Sequence, residues 1–190
     1  MNPVVTCLCR EPNNNVIRSV YPLILTPENL NKLWVKCKGL RTVFEKEIND
    51  DFHKFVSLFL AGHDNIQARG LMWVIDDFVG VYYIDNIVPG LDANAHYIFF
   101  DRRHTGREEL TKQMLNYLFQ EYQFHRLSIN LAYYATHASK HFVQQLGFKV
   151  EGRRRSSIKF NGVWFDVGLY GLLNPSFEDT TVRLAETKGQ

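Results

Sequence analysis

The strongest constraint on the fold is a short helix that ends on a glycine and runs straight into a strand. Ala138, Phe142, Val143 and Leu146 fall at i, i+4, i+5 and i+8, one face of a helix. Gly147 follows, and glycine is favoured just past a helix end because it takes the left-handed conformation without a Cβ penalty. A strand is predicted from Phe148 to Phe160, and a last strand from Val163 to Leu173 closes a hairpin with it.

The rest of the chain alternates helical and extended periods. Residues 1–15 end in Glu11-Pro12-Asn13-Asn14-Asn15 and read as a turn-rich leader; Val16 to Leu25 is apolar and β-rich, a first strand. Thr26-Pro27-Glu28 is a helix start, with Thr as N-cap, Pro at the first helical position and an acid in the first turn. Leu30, Leu33, Trp34 and Cys37 give its stripe. A second helix is predicted from Asn49 to Leu60, with Phe52, Phe55, Val56 and Phe59 inward. Leu71 to Ile75 and Phe78 to Val88 read as strands around an Asp76-Asp77 turn, and Pro89-Gly90 turns the chain into a fourth strand, Ala93 to Asp101. Arg107 to Tyr122 is a helix with Leu110, Met114, Leu118, Phe119 and Tyr122 on one face, and Leu127 to Tyr134 is a fifth strand. From Asn174 the chain is polar and reads as a loose tail. The order β, α, α, β, β, β, α, β, α, β, β predicts an α+β domain with a mixed sheet and about four helices. The expected organisation is one domain over 1–190, with its core in 16–173.

Composition excludes several classes. A chain of 190 residues with 45% hydrophobic and 22% charged content is an ordinary globular protein with room for a real core. A net charge of +2 does not by itself imply nucleic-acid binding. Three cysteines, Cys7, Cys9 and Cys37, form no disulfide framework, and no His or Cys pair beside Cys7 and Cys9 completes a metal set. No segment approaches the ~20 apolar residues of a membrane span, and no signal peptide is evident. A reducing cytoplasm is the expectation.

Within the stretch from Ala138 to Asp166 and just beyond it, Ser139, Leu146-Gly147-Phe148, Glu151-Gly152, Arg153, Gly162, Asp166 and Tyr170 stand in an ordered set. This set resembles the GNAT superfamily of acyl-CoA-dependent N-acyltransferases, and within it the branch that acetylates ribosomal-protein N-termini. The branch's usual Asn is replaced here by Thr136. The resemblance spans roughly Val16 to Leu173. It implies a GNAT fold: a mostly antiparallel sheet whose fourth and fifth strands splay apart, with acetyl-CoA as co-substrate in the gap. The implied partners are acetyl-CoA and an amine acceptor, a protein N-terminus or a small molecule, handled by a monomer or homodimer.

Several residues are placed as candidates. Arg103-x-x-Gly106 before a helix fits the first half of the family's pyrophosphate turn, where orphan backbone N–H groups and the helix dipole favour an anion. Cofactor contacts are expected from Phe99, Phe100, Asp101, Arg102, Arg103, His104, Thr105, Gly106 and Arg107, and from Thr136 and Ser139. Glu108 departs from the turn's pattern; a capping box, Thr105-x-x-Glu108, accounts for it. His96 stands near the family's general-base position, and an imidazole suits removal of a proton from an ammonium at neutral pH. Asp85, a polar residue in an apolar strand, is the alternative base. Ser139 lies, by the resemblance, near the CoA sulfur and would protonate the leaving thiolate. Tyr133 and Tyr134 are secondary proton donors or plain aromatic packing. Arg153-Arg154-Arg155 reads as a solvated strand edge or an anion contact. The main reading is an N-acetyltransferase acting by direct attack. The alternatives are a GNAT-fold binding module without transfer activity and a nucleic-acid base-modifying enzyme.

Overall fold

The computed structural model describes residues 2–11, 14–38, 40, 43–62, 66–100, 106–135 and 137–177. Ten strands and five helices form there: β1 (Val5–Glu11), β2 (Asn14–Pro22), α1 (Pro27–Lys38), α2 (Lys46–Asn49), α3 (Phe52–Val56), β3 (Leu60–Ala61), β4 (Gln67–Ala68), β5 (Gly70–Ile75), β6 (Gly80–Val88), β7 (Asp92–Phe99), α4 (Arg107–Tyr122), β8 (Arg126–Ala132), α5 (His137–Gln145), β9 (Lys149–Phe160) and β10 (Val163–Leu173). Eight strands make one sheet in the order β1-β2-β5-β6-β7-β8-β10-β9; β3 and β4 pair separately. All registered pairings in the large sheet are antiparallel except β7 with β8.

At its centre, around β5 and β6, the sheet is buried on both faces, and period-two alternation sorts its side chains. Trp73, Ile75, Tyr82, Ile84 and Ala95 face α4 and α5, joining Leu110, Met114, Leu118 and Val143. Met72, Val74, Val81 and Tyr83 face the other way and pack with Leu30, Leu33, Cys37, Phe55 and Phe59. The buried Tyr82 hydroxyl donates to Thr111 Oγ1 at 3.0 Å, and Thr111 donates to the Arg107 carbonyl, which fixes the first turn of α4 on the sheet.

Three sequence expectations are corrected. The leader is an edge strand: β1 pairs along its length with β2, and Cys7 and Cys9 are buried against α4. Its core-facing residues are thiols while Leu8 faces out, so apolar content alone did not mark it. The second helix is two short ones, because Asp51 is extended and its carboxylate accepts from the N–H groups of His53 and Lys54, starting a new helix. Asn174 is buried rather than loose; its side-chain amide donates to the Phe124 carbonyl at 2.9 Å. Arg153, Arg154 and Arg155 lie exposed on β9, the terminal strand of the sheet, where charge discourages edge pairing.

Candidate active site at the open seam of the sheet

β7 and β8 share a single registered pair, Asn94 with Ser128. Beyond it the strands separate, as the resemblance to splayed fourth and fifth strands implied. The N–H of Phe100 bonds the Val79 carbonyl of the β6 side. Alternation along the strand therefore turns the N–H of Tyr97 toward β8, past the last registered pair. A cavity of about 550 Å³ opens at this seam. That lies within the range of ligand pockets, ~300–1,000 Å³.

His96, Asp85 and Ser139 all line this cavity. Sequence reasoning set His96 and Asp85 as rivals; the structure joins them. Tyr83 pairs with His96 across β6 and β7, so Asp85 falls diagonally beside the imidazole on the same face. His96 Nε2 lies 3.1 Å from Asp85 Oδ1. The register shifts immediately after Asp85, at a bulge where Asn86 has φ 48°. Bulges re-aim side chains, and this one follows the carboxylate that meets His96. The His96 ring also leans on Tyr83, with centroids 5.7 Å apart. Burial, and next the Asp85 charge, push the Tyr83 phenol up to about 12. Its hydroxyl has no hydrogen-bond partner among the described residues.

Ser139 sits in the first turn of α5, across the cavity wall from β7. Tyr134 follows β8 and lines the same cavity, stacked on Phe160 at 4.4 Å and edge-on to Phe165. Burial first, and Glu45 second, raise the Tyr134 phenol, so it holds its proton at neutral pH. Tyr133 is exposed, beneath Lys140 and Arg153.

The phosphate turn is described from Gly106 onward; Asp101, Arg102, Arg103, His104, Thr105 and Thr136 lie outside the described residues. Gly106 caps α4 at φ 75°, a left-handed conformation, and a Cβ there would meet Cys9 Cβ at 2.6 Å. Glycine is required twice over, by backbone and by close approach. Thr105, the other half of the expected capping box, lies outside the described residues. The cap is Gly106, without a side-chain cap bond, and the Glu108 carboxylate pairs with Lys112 one turn on at 2.7 Å. Arg107 lies over the Phe99 ring at 5.8 Å, Phe99 packs toward α5, and Phe100 packs on the α1 side.

The far wall of the cavity was not legible in the sequence. Leu33, Cys37, Val43, Phe44, Leu58 and Phe59 bring it together from α1, the connection to α2, and the end of α3. The one available signal was the apolar pair Val43-Phe44 just ahead of the charged run Glu45-Lys46-Glu47. Asn130, on the β8 side, was also missed. Among the described residues no group of three or more His, Cys, Asp or Glu could hold a metal ion, and no helix is long and apolar enough to cross a membrane.

Comparison with known proteins agrees with this fold. The acetyltransferase (GNAT) domain family matches residues 75–169. The probable N-acetyltransferase YjcK of Bacillus subtilis is 25% identical over 141 residues, 72% of this chain and 71% of the relative. Three solved structures share the fold over most of the chain. The ribosomal-protein-S5-alanine acetyltransferase of Vibrio fischeri has a TM-score of 0.65 at 13% identity, covering 92% of this chain and 99% of that one. RimJ of Mycobacterium smegmatis, in complex with CoA-disulfide, has a TM-score of 0.65 at 18% identity, covering 91% and 90%. A spermidine N-acetyltransferase from Vibrio cholerae has a TM-score of 0.60 at 18% identity, covering 82% and 93%.

Proposed function

Because the chain belongs to the acetyltransferase (GNAT) family and is an N-acetyltransferase, we propose that His96, Asp85 and Ser139 carry the transfer in the cavity at the β7–β8 seam. The observation that carries this reading is that the imidazole–carboxylate pair and the serine line one cavity, where the sheet parts.

The co-substrate is acetyl-CoA, which supplies the acyl group as a thioester. The turn that begins α4 fits it. The left-handed Gly106 turn begins α4, whose first N–H groups and positive dipole end suit a pyrophosphate. The charge of Glu108, the one feature that spoke for a non-catalytic binding module, is taken up by Lys112.

The acceptor enters as an ammonium and is inert until it loses a proton. Asp85 accepts the Nε2–H of His96, which leaves Nδ1 with the lone pair that takes that proton and places a carboxylate beside the resulting imidazolium. The amine nitrogen attacks the thioester carbonyl, and the Tyr97 N–H stabilises the oxyanion as it develops. The new C–N bond replaces the C–S bond, Ser139 gives its hydroxyl proton to the leaving thiolate, and solvent reprotonates Ser139. Holding amine and thioester in one cavity supplies the largest share of the acceleration. No covalent enzyme intermediate is used, in keeping with the three cysteines being buried away from the seam or set in its far wall.

The test pairs a binding readout with a turnover readout. Native mass spectrometry of the chain with acetyl-CoA should show a one-to-one complex, and acetylated amine should accumulate with wild type but not with His96→Gln. A His96→Gln variant that binds acetyl-CoA and turns over at the wild-type rate would remove His96 from the chemistry.

A further inference from the structure

The two ends of the cavity differ in kind. At the seam stand Asp85, His96, Asn130 and Ser139. The opposite end, formed by Leu33, Cys37, Val43, Phe44, Leu58 and Phe59, presents carbon, with one thiol and no charged side chain among the described lining residues. Cys37 is fully buried, and burial pushes its thiol up to about 12, so that wall stays neutral at physiological pH. Phe59 is itself fixed edge-on between Phe55 and Tyr83, at 5.2 and 5.3 Å, which makes the wall rigid.

Resting on the reading of the seam given above, we propose that the acceptor is a primary amine carried on an apolar, ring-sized body, with one positive charge and no second. The single ammonium meets Asp85 and His96 at the seam, and the body fills the chamber between α1 and α3. A second ammonium, as on a polyamine, would be stripped of water against carbon, with no carboxylate among the described residues lining that end to receive it (Glu45, beside Phe44 in sequence, acts on Tyr134 and does not line the cavity), and such a group is expensive to bury. Burying a ring gains the full hydrophobic transfer, and a chamber of this size holds a phenyl ring together with the acyl end of the co-substrate.

The experiment uses the whole chain and three acceptor probes: 2-phenylethylamine, spermidine and a tripeptide with an N-terminal alanine. Binding is measured by calorimetry on the CoA-loaded protein, and transfer by mass spectrometry with acetyl-CoA. The expected result is a kcat/KM for 2-phenylethylamine roughly 100-fold above spermidine, the scale of one buried ring. Binding should follow the same order. Val43→Asp places a carboxylate in the chamber wall at a half-buried position and should shrink that ratio at least about tenfold. Leu58→Asp makes the same change from the end of α3 if Val43→Asp does not fold. The proposal is overturned if spermidine or the tripeptide is preferred or equal, if 2-phenylethylamine does not bind, or if a folded carboxylate variant keeps the wild-type ratio. If 2-phenylethylamine binds with the stated selectivity but is not acetylated, the acceptor class stands and the assignment of His96 and Ser139 falls.

Discussion

β8 borders two seams of the same sheet, and they are opposites. On one side it pairs with β10 from Val167–Ala132 to Leu173–Arg126 without interruption. On the other it meets β7 at Asn94–Ser128 alone. The closed seam satisfies its backbone internally, and the other edge of β10 is held to β9 in the same structural way: Asp166 on β10 accepts the Ser156 N–H of β9 at 2.8 Å and pairs with Arg153, at a bulge where Ser156 has φ 45°. The open seam turns backbone toward a cavity and gathers titratable side chains around it. Buried backbone groups need partners, so a strand pair that parts inside a sheet holds backbone donors ready for a ligand.

The sharpest way to break this comparison is to remove the base from the open seam. His96→Gln keeps polarity but cannot take a proton, and should cut turnover roughly 10²-fold or more while leaving acetyl-CoA affinity unchanged. Asp85→Asn should lower turnover less, in the same direction, because it disturbs the imidazole's orientation rather than replacing it. The pH dependence of turnover should differ between wild type and His96→Gln. A pH–rate profile on the three proteins decides; an unchanged profile in His96→Gln rejects the assignment.

The next effect lies at the turn that begins α4. Gly106→Ala forces a left-handed Cβ into Cys9. Backbone strain and overpacking each cost about 1–3 kcal/mol. The loss should appear as weaker CoA binding together with a lower Tm, because the turn and the β1–α4 contact fail together. Gly162→Ala, also at positive φ but with open space around its Cβ position, is the control. It should show the backbone strain alone and leave CoA binding intact.

What could be read from the sequence divides along the same line. α4 and β10 run over Arg107–Tyr122 and Val163–Leu173 as predicted, because their period is clean and their ends carry glycine or a turn. The candidates His96, Asp85 and Ser139 were legible as residue types in the right elements. That His96 and Asp85 touch was not, because it depends on cross-strand register and on a bulge at Asn86 that no local pattern announces. The apolar end of the cavity was not legible either. Its residues come from three short neighbouring segments, 33–37, 43–44 and 58–59, brought together by two turns of the chain, and each reads locally as ordinary core. β1 was missed because Leu8 and Ile17 point outward, at 59% and 64% exposure, while the core side carries cysteines.

On the other edge of β10, against β9, the expected effect is smaller and of a different kind. Asp166→Ala removes an acceptor from a bulged N–H and an ion pair that is partly exposed. It should cost about 1 kcal/mol of stability, read as a shift in urea midpoint. Turnover per folded molecule should stay within a few-fold of wild type. A loss as large as that of His96→Gln would mean that Asp166 takes part in the site.

The smallest effect is silent at neutral pH and concerns the cavity wall. Burial raises the Cys37 thiol from 9.0 to about 12. Below pH 9 the thiol is protonated in both folded and unfolded chains, so it adds no pH dependence. Between about 9 and 12 the unfolded chain loses that proton and the folded chain keeps it. The unfolded state then binds fewer protons, so stability falls as pH rises through this window. Cys37→Ala should be less stable than wild type at pH 7, because it leaves a void in packed core. It should also lose stability less steeply in alkali, so the two curves converge. Cys9, raised to about 12 by burial and by neighbouring Cys7, keeps part of the slope in the variant. Urea midpoints at pH 8, 9 and 10 measure the convergence. Parallel curves would mean that water reaches Cys37 through the open seam, and that the chamber is wetter than its carbon lining implies.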